Sequence, residues 1–248
     1  MTDPSSARLR ADLLLVELGL FESRAKARAA IEAGGVTADG RPIAKPAELV
    51  ARAAVIAAEP AHPWVGRGGL KLDHALTIWP VQVAGRVVLD LGASTGGFTE
   101  VCLARGAARV FAVDVGHGQL HPRLSADPRV VDLQGQDART LTAAQIPEPP
   151  GLIVCDASFI GLAKVAATAL GLAAAGADLV ALVKPQFEVG PDQIGKGGAV
   201  RDPQVRAGAV QGVSDWLETQ GWSVRAAVES PVRGGDGAIE HLIWAAKL

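Results

Sequence analysis

The spacing of apolar positions changes character about a quarter of the way along this chain. In residues 8–20, RLRADLLLVELGL, apolar side chains recur at helical spacing and stop at Gly19, which predicts one short helix. Ser23 is placed to N-cap a second helix, RAKARAAIEAGG, that ends at Gly34 and Gly35. VTADGRPI then predicts a strand, an Asp39-Gly40 turn and a returning strand, and AELVARAAVIAAE adds short extended structure. Beyond the helical stretch GLKLDHALTIW the pattern becomes continuous apolar runs: RVVLDLG, RVFAVDV, RVVDLQ, GLIVCDA and ADLVALVKP, separated by helical segments. Such alternation predicts a parallel sheet covered on both faces. The last two runs, WSVRAAVES and IEHLIWA, are joined by PVRGGDGA, too short for a helical crossover, so they should pair antiparallel. The predicted class is α/β, a mostly parallel seven-stranded sheet behind a small α+β domain. The boundaries read as 1–60 for the small domain, 61–68 (AHPWVGRG) for a linker and 69–248 for the large domain.

Composition narrows the function classes. With 49% hydrophobic and 20% charged residues the 248-residue chain has enough apolar material for packed cores. Its net charge of −2 means that any attraction to nucleic acid must come from a local patch. Residues 1–71 are mildly basic, with 10 Lys/Arg against 8 Asp/Glu. Cys102 and Cys155 sit in apolar runs, which argues against a disulfide framework or a cysteine zinc site, and the histidines lack metal-ligand spacing, so no metal is predicted. The N-terminus has no signal-peptide core and no run approaches the ~20 apolar residues of a membrane span, so a cytoplasmic protein without membrane association is expected.

Candidate chemistry concentrates at the strand ends. After VVLDL comes a glycine-rich turn, Gly92-Ala93-Ser94-Thr95-Gly96-Gly97-Phe98, then a helix. In an open parallel sheet ligands bind beyond the carboxyl ends of strands, and glycines let the backbone approach them. The spacing is GxxxGG after Asp90, without the GxGxxG of a dinucleotide-binding turn. Asp114 closes the second run, where an acid accepts from ribose hydroxyls; Asp137 and Asp156 end the third and fourth. S-adenosylmethionine carries a ribose without a pyrophosphate, so Asp90, Gly92, Ser94, Gly96, Gly97, Phe98, Asp114, Asp137 and Asp156 are the candidate cofactor-binding set, with a helix cap as the alternative for Asp137 and Asp156, more so for Asp137. In the small domain Arg24, Lys26 and Arg28 lie in the first turns of a helix, where cations oppose the dipole and so suggest a use beyond stability. Together with Arg8 and Arg41 they are the candidate RNA-phosphate contacts implied by a resemblance of residues 8–60 to the S4 RNA-binding domain, carried by RLRADLLLVELGL and SRAKARAAIEAGGVTADGRPI. Residues 188–203, EVGPDQIGKGGAVRDP, read as a loop whose Lys196 and Arg201 suit a lid over RNA.

Residues 8–60 resemble the S4 RNA-binding domain in RLRADLLLVELGL, SRAKARAAIEAGGVTADGRPI and their order. The remainder resembles the TlyA family, also named hemolysin A, within the FtsJ-like ribose methyltransferases, through VLDLGASTGGFTEVCLARGAARVFAVDVGHGQL, VCDASFI, LVKPQFEVG, IGKGGAVRD and ESPVRGGDGAIEHLIW. That resemblance implies a Rossmann-like fold, S-adenosylmethionine as cofactor, and 2′-O-methylation of cytidine in ribosomal RNA or ribosomal subunits, with no obligate protein partner. It implies a catalytic tetrad at Lys71, Asp156, Lys184 and Glu240. The chemistry agrees: a ribose hydroxyl must lose its proton and be aimed at the methyl donor, and a buried lysine beside a second cation is a usable base near neutral pH. Lys184 then takes that role, Lys71 supplies the cation, and Asp156 and Glu240 orient both. Where the family commonly has Asn before the last acid and an aromatic in the VDVGxGQL string, this chain has Ala238 and His117. Two other readings, a membrane-active haemolysin and a ribosome-assembly factor without catalysis, are disfavoured respectively by the lack of an amphipathic or apolar segment and by the intact tetrad.

Overall fold

The computed structural model describes residues 7–195, 197–234 and 237–248, and the chain divides into two units, Met1–Pro63 and Trp64–Leu248. Lys196 lies outside the described residues.

The first unit runs β1 (Arg8–Arg10), α1 (Ala11–Glu17), α2 (Arg24–Glu32), β2 (Val36–Ala38), β3 (Arg41–Pro42), β4 (Leu49–Ala51) and β5 (Ile56–Ala58). The helix predicted from Arg8 begins three residues later, because Arg8–Arg10 pairs antiparallel with β4. The free N–H groups of Ala11 and Asp12 donate to the carbonyls of Glu48 and Pro46, so the chain enters the helix from an extended segment and its first turn is satisfied. Ser23 caps α2 as predicted, accepting from the Lys26 amide, and β2 forms the predicted hairpin with β3. Leu14, Leu15, Ala27, Ala30, Ile31 and Val36 make a small core of their own. Asp12 is fully buried and receives bonds from Arg10 and, at 2.9 Å, from Arg24. The Arg10 hydrogen bonds, helped by Arg24, hold its carboxyl well below the usual carboxylate range.

The second unit is a seven-stranded sheet in the order β11-β12-β10-β9-β6-β7-β8. Its elements are α3 (Gly69–Ile78), β6 (Val87–Leu91), α4 (Gly97–Ala104), β7 (Arg109–Asp114), α5 (Pro122–Ser125), β8 (Val130–Gln134), β9 (Leu152–Cys155), α6 (Leu162–Leu172), β10 (Asp178–Val183), α7 (Pro185–Glu188), α8 (Pro203–Thr219), β11 (Trp222–Glu229) and β12 (His241–Lys247). β12 runs antiparallel to both β10 and β11, as the short connection required, and the five earlier strands are parallel.

Alternation along each strand splits the core. Leu89, Leu91, Phe111, Val113, Ile153 and Leu179 face one layer with α6 and α8, while Val88, Val110, Ala112, Val154 and Val180 face the other with α3 and α4. At roughly 1.5–3 kcal/mol per fully buried aliphatic side chain, these two layers dominate the stability of the unit. Successive strands leave β6 in one direction, through β7 to β8, and then resume on its other side at β9. Their ends diverge between β6 and β9, the switch point at which open α/β sheets bind ligands. Among the described residues no helix is long and apolar enough to cross a membrane.

Candidate active site

Two cavities meet at that switch point. One, of 590 Å³, is lined by Gly92, Ser94, Asp114, Gln119, Asp137 and Phe159 among others; the second, of 310 Å³, contains Lys71, Asp156, Lys184 and Glu240. Gly92, Ser94, Asp156 and Ser158 line both, so the larger space opens onto the charged one.

The wall between β6 and α4 depends on two glycines. Gly92 has φ +80, and a Cβ there would stand 2.8 Å from the Ala157 Cα. Gly96 caps α4 with φ +94, and a Cβ would meet the Leu124 side chain at 2.2 Å. Both positions therefore favour glycine for backbone conformation, and at Gly92 the Ala157 backbone also leaves no room for a Cβ. Opposite them, Asp114 at the end of β7 accepts from the amides of Ser94 (2.8 Å) and Gly116 (2.8 Å). This fixes the carboxylate at the cavity wall while leaving it lone pairs for hydroxyl donors.

The four charged residues of the smaller cavity form a chain of ion pairs. Lys71, in the first turn of α3, donates to Glu240 Oε2 at 2.6 Å and lies 3.6 Å from Asp156 Oδ2. Lys184 Nζ lies 2.7 Å from Asp156 Oδ1 and donates to the Asp156 carbonyl (3.1 Å) and the Ser158 hydroxyl (2.8 Å). Both lysines and Glu240 are buried, while Asp156 retains partial exposure. Buried charges persist only when paired, and here each has an opposite charge within contact. Gly234 and Gly68 leave the room required: a Cβ at Gly234 would sit 2.2 Å from Glu240 Oε1, and one at Gly68 3.1 Å from Asp156 Oδ2.

Other expected positions are distributed differently. Gly97 and Phe98 line the smaller cavity, with Phe98 buried. Asp137 lines the larger one, yet its carboxylate accepts from the Arg139 amide and pairs with the Arg139 side chain, so it is also a cap. Those Arg139 bonds hold its carboxyl below the ordinary range. Gly96 and Asp90 line neither cavity.

Asp90 is completely buried beneath the turn, where Oδ2 accepts from the Thr99 hydroxyl at 2.6 Å and Oδ1 has no hydrogen-bond partner among the described residues. It ties α4 to β6. Burial pushes its carboxyl up to about 7, against the lowering effect of Thr99 and with repulsion from Asp156 and Asp114 adding to the rise. A folded state that holds a proton the unfolded chain releases loses stability as pH rises from about 4 to about 7, by up to about 4 kcal/mol. Urea unfolding across that interval should show this decline, and Asp90→Asn, whose amide oxygen still accepts from Thr99, should flatten it. Parallel curves for the two proteins would refute it.

Residues missed in the sequence pattern lie mainly before α3 and after β9. The segment assigned to a linker supplies Gly66, Arg67 and Gly68 to the smaller cavity, and Val65 is buried in the adjoining core, its amide bonded to Glu100 at 2.5 Å. The glycines flanking Arg67 were the available signal. Ser158, which receives Lys184, and Phe159, 91% exposed and tilted against Phe187 at 5.5 Å, follow Asp156 directly.

Comparisons with known proteins agree with this arrangement. The FtsJ-like methyltransferase family model matches residues 64–247 and the S4 domain model residues 9–56. The chain is 48% identical over 239 residues to the 16S/23S rRNA (cytidine-2′-O)-methyltransferase TlyA of Mycobacterium tuberculosis, covering 96% of this chain and 89% of that protein. It is 34% identical to Hemolysin A of Brachyspira hyodysenteriae, covering 94% and 98%. A solved structure from Streptococcus thermophilus, named as a candidate hemolysin, superposes with a TM-score of 0.76 at 36% identity, covering 98% of this chain and 89% of that one.

Proposed function

This chain belongs to the FtsJ-like methyltransferase family, in the TlyA group that carries an S4 domain in front, and on that premise we propose that it methylates the 2′-hydroxyl of a cytidine in ribosomal RNA, using S-adenosylmethionine. The observation that carries the reading is the Lys71, Asp156, Lys184 and Glu240 cluster at the junction of the two cavities. A cofactor-sized space against a glycine turn, opening onto two lysines and two acids, is what a transfer to a hydroxyl needs.

The larger cavity suits the cofactor. Its 590 Å³ falls within the roughly 300–1,000 Å³ of small-molecule sites. Asp114 would accept from the ribose hydroxyls, Val115, Ile160 and Phe159 offer apolar surface to the adenine, and the close-approach turn at Gly92 faces the same space. When bound, S-adenosylmethionine supplies an activated methyl group on a cationic sulfur.

The chain's own residues do the rest. Lys184 Nζ donates to the Asp156 carbonyl and the Ser158 hydroxyl and lies in ion-pair contact with Asp156 Oδ1; the amine form keeps the two hydrogen bonds and turns its lone pair to the incoming ribose hydroxyl. Asp156 holds Lys184 from one oxygen and faces Lys71 with the other, so one carboxylate sets the positions of both cations. Lys71, locked by Glu240, places a fixed positive charge beside the oxygen that becomes anionic.

In the first unit Arg8, Arg28 and Arg41 are exposed and their side chains carry no ion pair or hydrogen bond within the described residues, whereas Arg24 is tied to Asp12 and Lys26 to Glu22. The free three are the stronger phosphate contacts of the proposed set, and Arg201 is exposed at the loop after α7. Ribosomal RNA and ribosomal subunits from cells lacking this protein, incubated with it and with methyl-tritiated cofactor, should acquire label that survives digestion as 2′-O-methylcytidine. Label on a base, or none on either RNA, would overturn the reading.

A further inference from the structure

We propose that Arg67 grips the phosphodiester adjoining the 2′-hydroxyl of the target nucleotide and so positions the substrate strand at the smaller cavity; the assignment rests on the ribose-methylation reading above. Charge balance leads to it. The described residues lining this cavity include three cations, Arg67, Lys71 and Lys184, and two acids, Asp156 and Glu240. Both lysines are engaged in ion pairs with those acids. Arg67 is exposed and, among the described residues, its side chain has no ion pair or hydrogen bond. One positive charge is therefore left over at the mouth of a site whose substrate carries one negative charge per nucleotide, next to the reacting oxygen.

The backbone that carries Arg67 is held on both sides. A Cβ at Gly66 would stand 2.5 Å from the Thr95 hydroxyl, and one at Gly69 would stand 2.6 Å from the Trp64 ring. Gly97 approaches the same segment so closely that a Cβ there would be 2.9 Å from the Gly69 amide and 3.2 Å from the Gly66 carbonyl. The amides of Gly69, Leu70 and Lys71 donate to the carbonyls of Gly66, Arg67 and Gly68, leading straight into α3 and Lys71. The root of Arg67 is thus packed against the turn that borders both cavities, four residues before a tetrad lysine. A guanidinium with five donors binds phosphate oxygens in pairs, and an anchored root makes that grip a positional reference for the ribose.

Arg67→Ala and Arg67→Lys, in the full-length protein, test this with labelled cofactor and ribosomal RNA as methyl acceptor. Arg67→Ala should lower kcat/KM for RNA by roughly tenfold to a hundredfold, the range for a lost charge-assisted bond, with cofactor affinity by calorimetry unchanged. The slope of log kcat/KM against log salt should become shallower by about one contact. Arg67→Lys should recover the salt slope while recovering only part of the rate, since an ammonium keeps the charge and loses the fork. Wild-type salt slope and wild-type kcat/KM in Arg67→Ala would overturn the assignment while leaving ribose methylation standing. Absence of methyl transfer to RNA by the wild-type protein would sink both.

Discussion

Replacing Lys184 by alanine is expected to lower methyl transfer by roughly 10²–10⁴, the usual contribution of a positioned acid–base group. The residue directly follows β10, and its Nζ lies beside Asp156 Oδ1, the Asp156 carbonyl and the Ser158 hydroxyl. Lys184 is not itself in the larger cavity's lining and touches it only through Asp156 and Ser158, so cofactor affinity measured by calorimetry should stay within a few-fold of wild type. The variant that separates a proton acceptor from a mere cation is Lys184→Arg. Guanidinium preserves the charge beside Asp156 and cannot be deprotonated in a protein, so arginine should be as inactive as alanine. A Lys184→Arg enzyme turning over near the wild-type rate under saturating RNA and cofactor would exclude the base role and leave Lys184 as an electrostatic partner of Asp156.

Glu240→Ala should produce the largest loss of stability among the site variants. Glu240 and Lys71 have side chains only 3% and 8% exposed and share a 2.6 Å bond across 169 residues of sequence. Without the carboxylate, Lys71 keeps only the 3.6 Å approach to Asp156, and a buried ammonium with one distant partner costs about 3–5 kcal/mol. Urea unfolding should register a midpoint shift of that size. A purely structural pair predicts something further: Lys71→Met with Glu240→Leu, two apolar side chains of similar volume, should regain most of the lost stability. It should regain no activity, because the cation beside the reacting oxygen is gone. A stable double variant that still transfers methyl groups would show that this pair serves the fold alone.

Much of the second unit was legible because strands buried on both faces leave no polar positions. RVFAVDV and ADLVALVKP announce themselves as continuous apolar runs, and the short PVRGGDGA connection leaves only antiparallel pairing. The tetrad was legible for a different reason: each member adjoins one end of a strand or lies in the first turn of a helix, within strings that resemble the family. The first helix was placed too early because Leu9 fits a helical period as well as a strand, and only the pairing of Arg8–Arg10 with Leu49–Ala51 distinguishes them. Competition for Arg24 was invisible as well. An arginine in a helix's first turn looks available for phosphate until the fold buries Asp12 against it.

Asp90 and Arg67 mark the boundary between the two kinds of knowledge. In the string VVLDLG an aspartate before a glycine turn reads as a ligand, yet alternation along β6 sends its side chain into the interior to Thr99. Arg67 sits in AHPWVGRG, whose proline and glycines read as a linker, yet a Cβ at Gly66 would stand 2.5 Å from the Thr95 hydroxyl and one at Gly68 3.1 Å from Asp156 Oδ2. By itself the sequence determined which segments become strands, which chemistry the chain carries and which family it belongs to, since periodicity, residue type and local spacing are properties of neighbouring positions. Tertiary structure alone decided which charges are spent on one another and which remain free, because ion pairing depends on distances between residues up to 169 positions apart, set by the order in which the strands assemble.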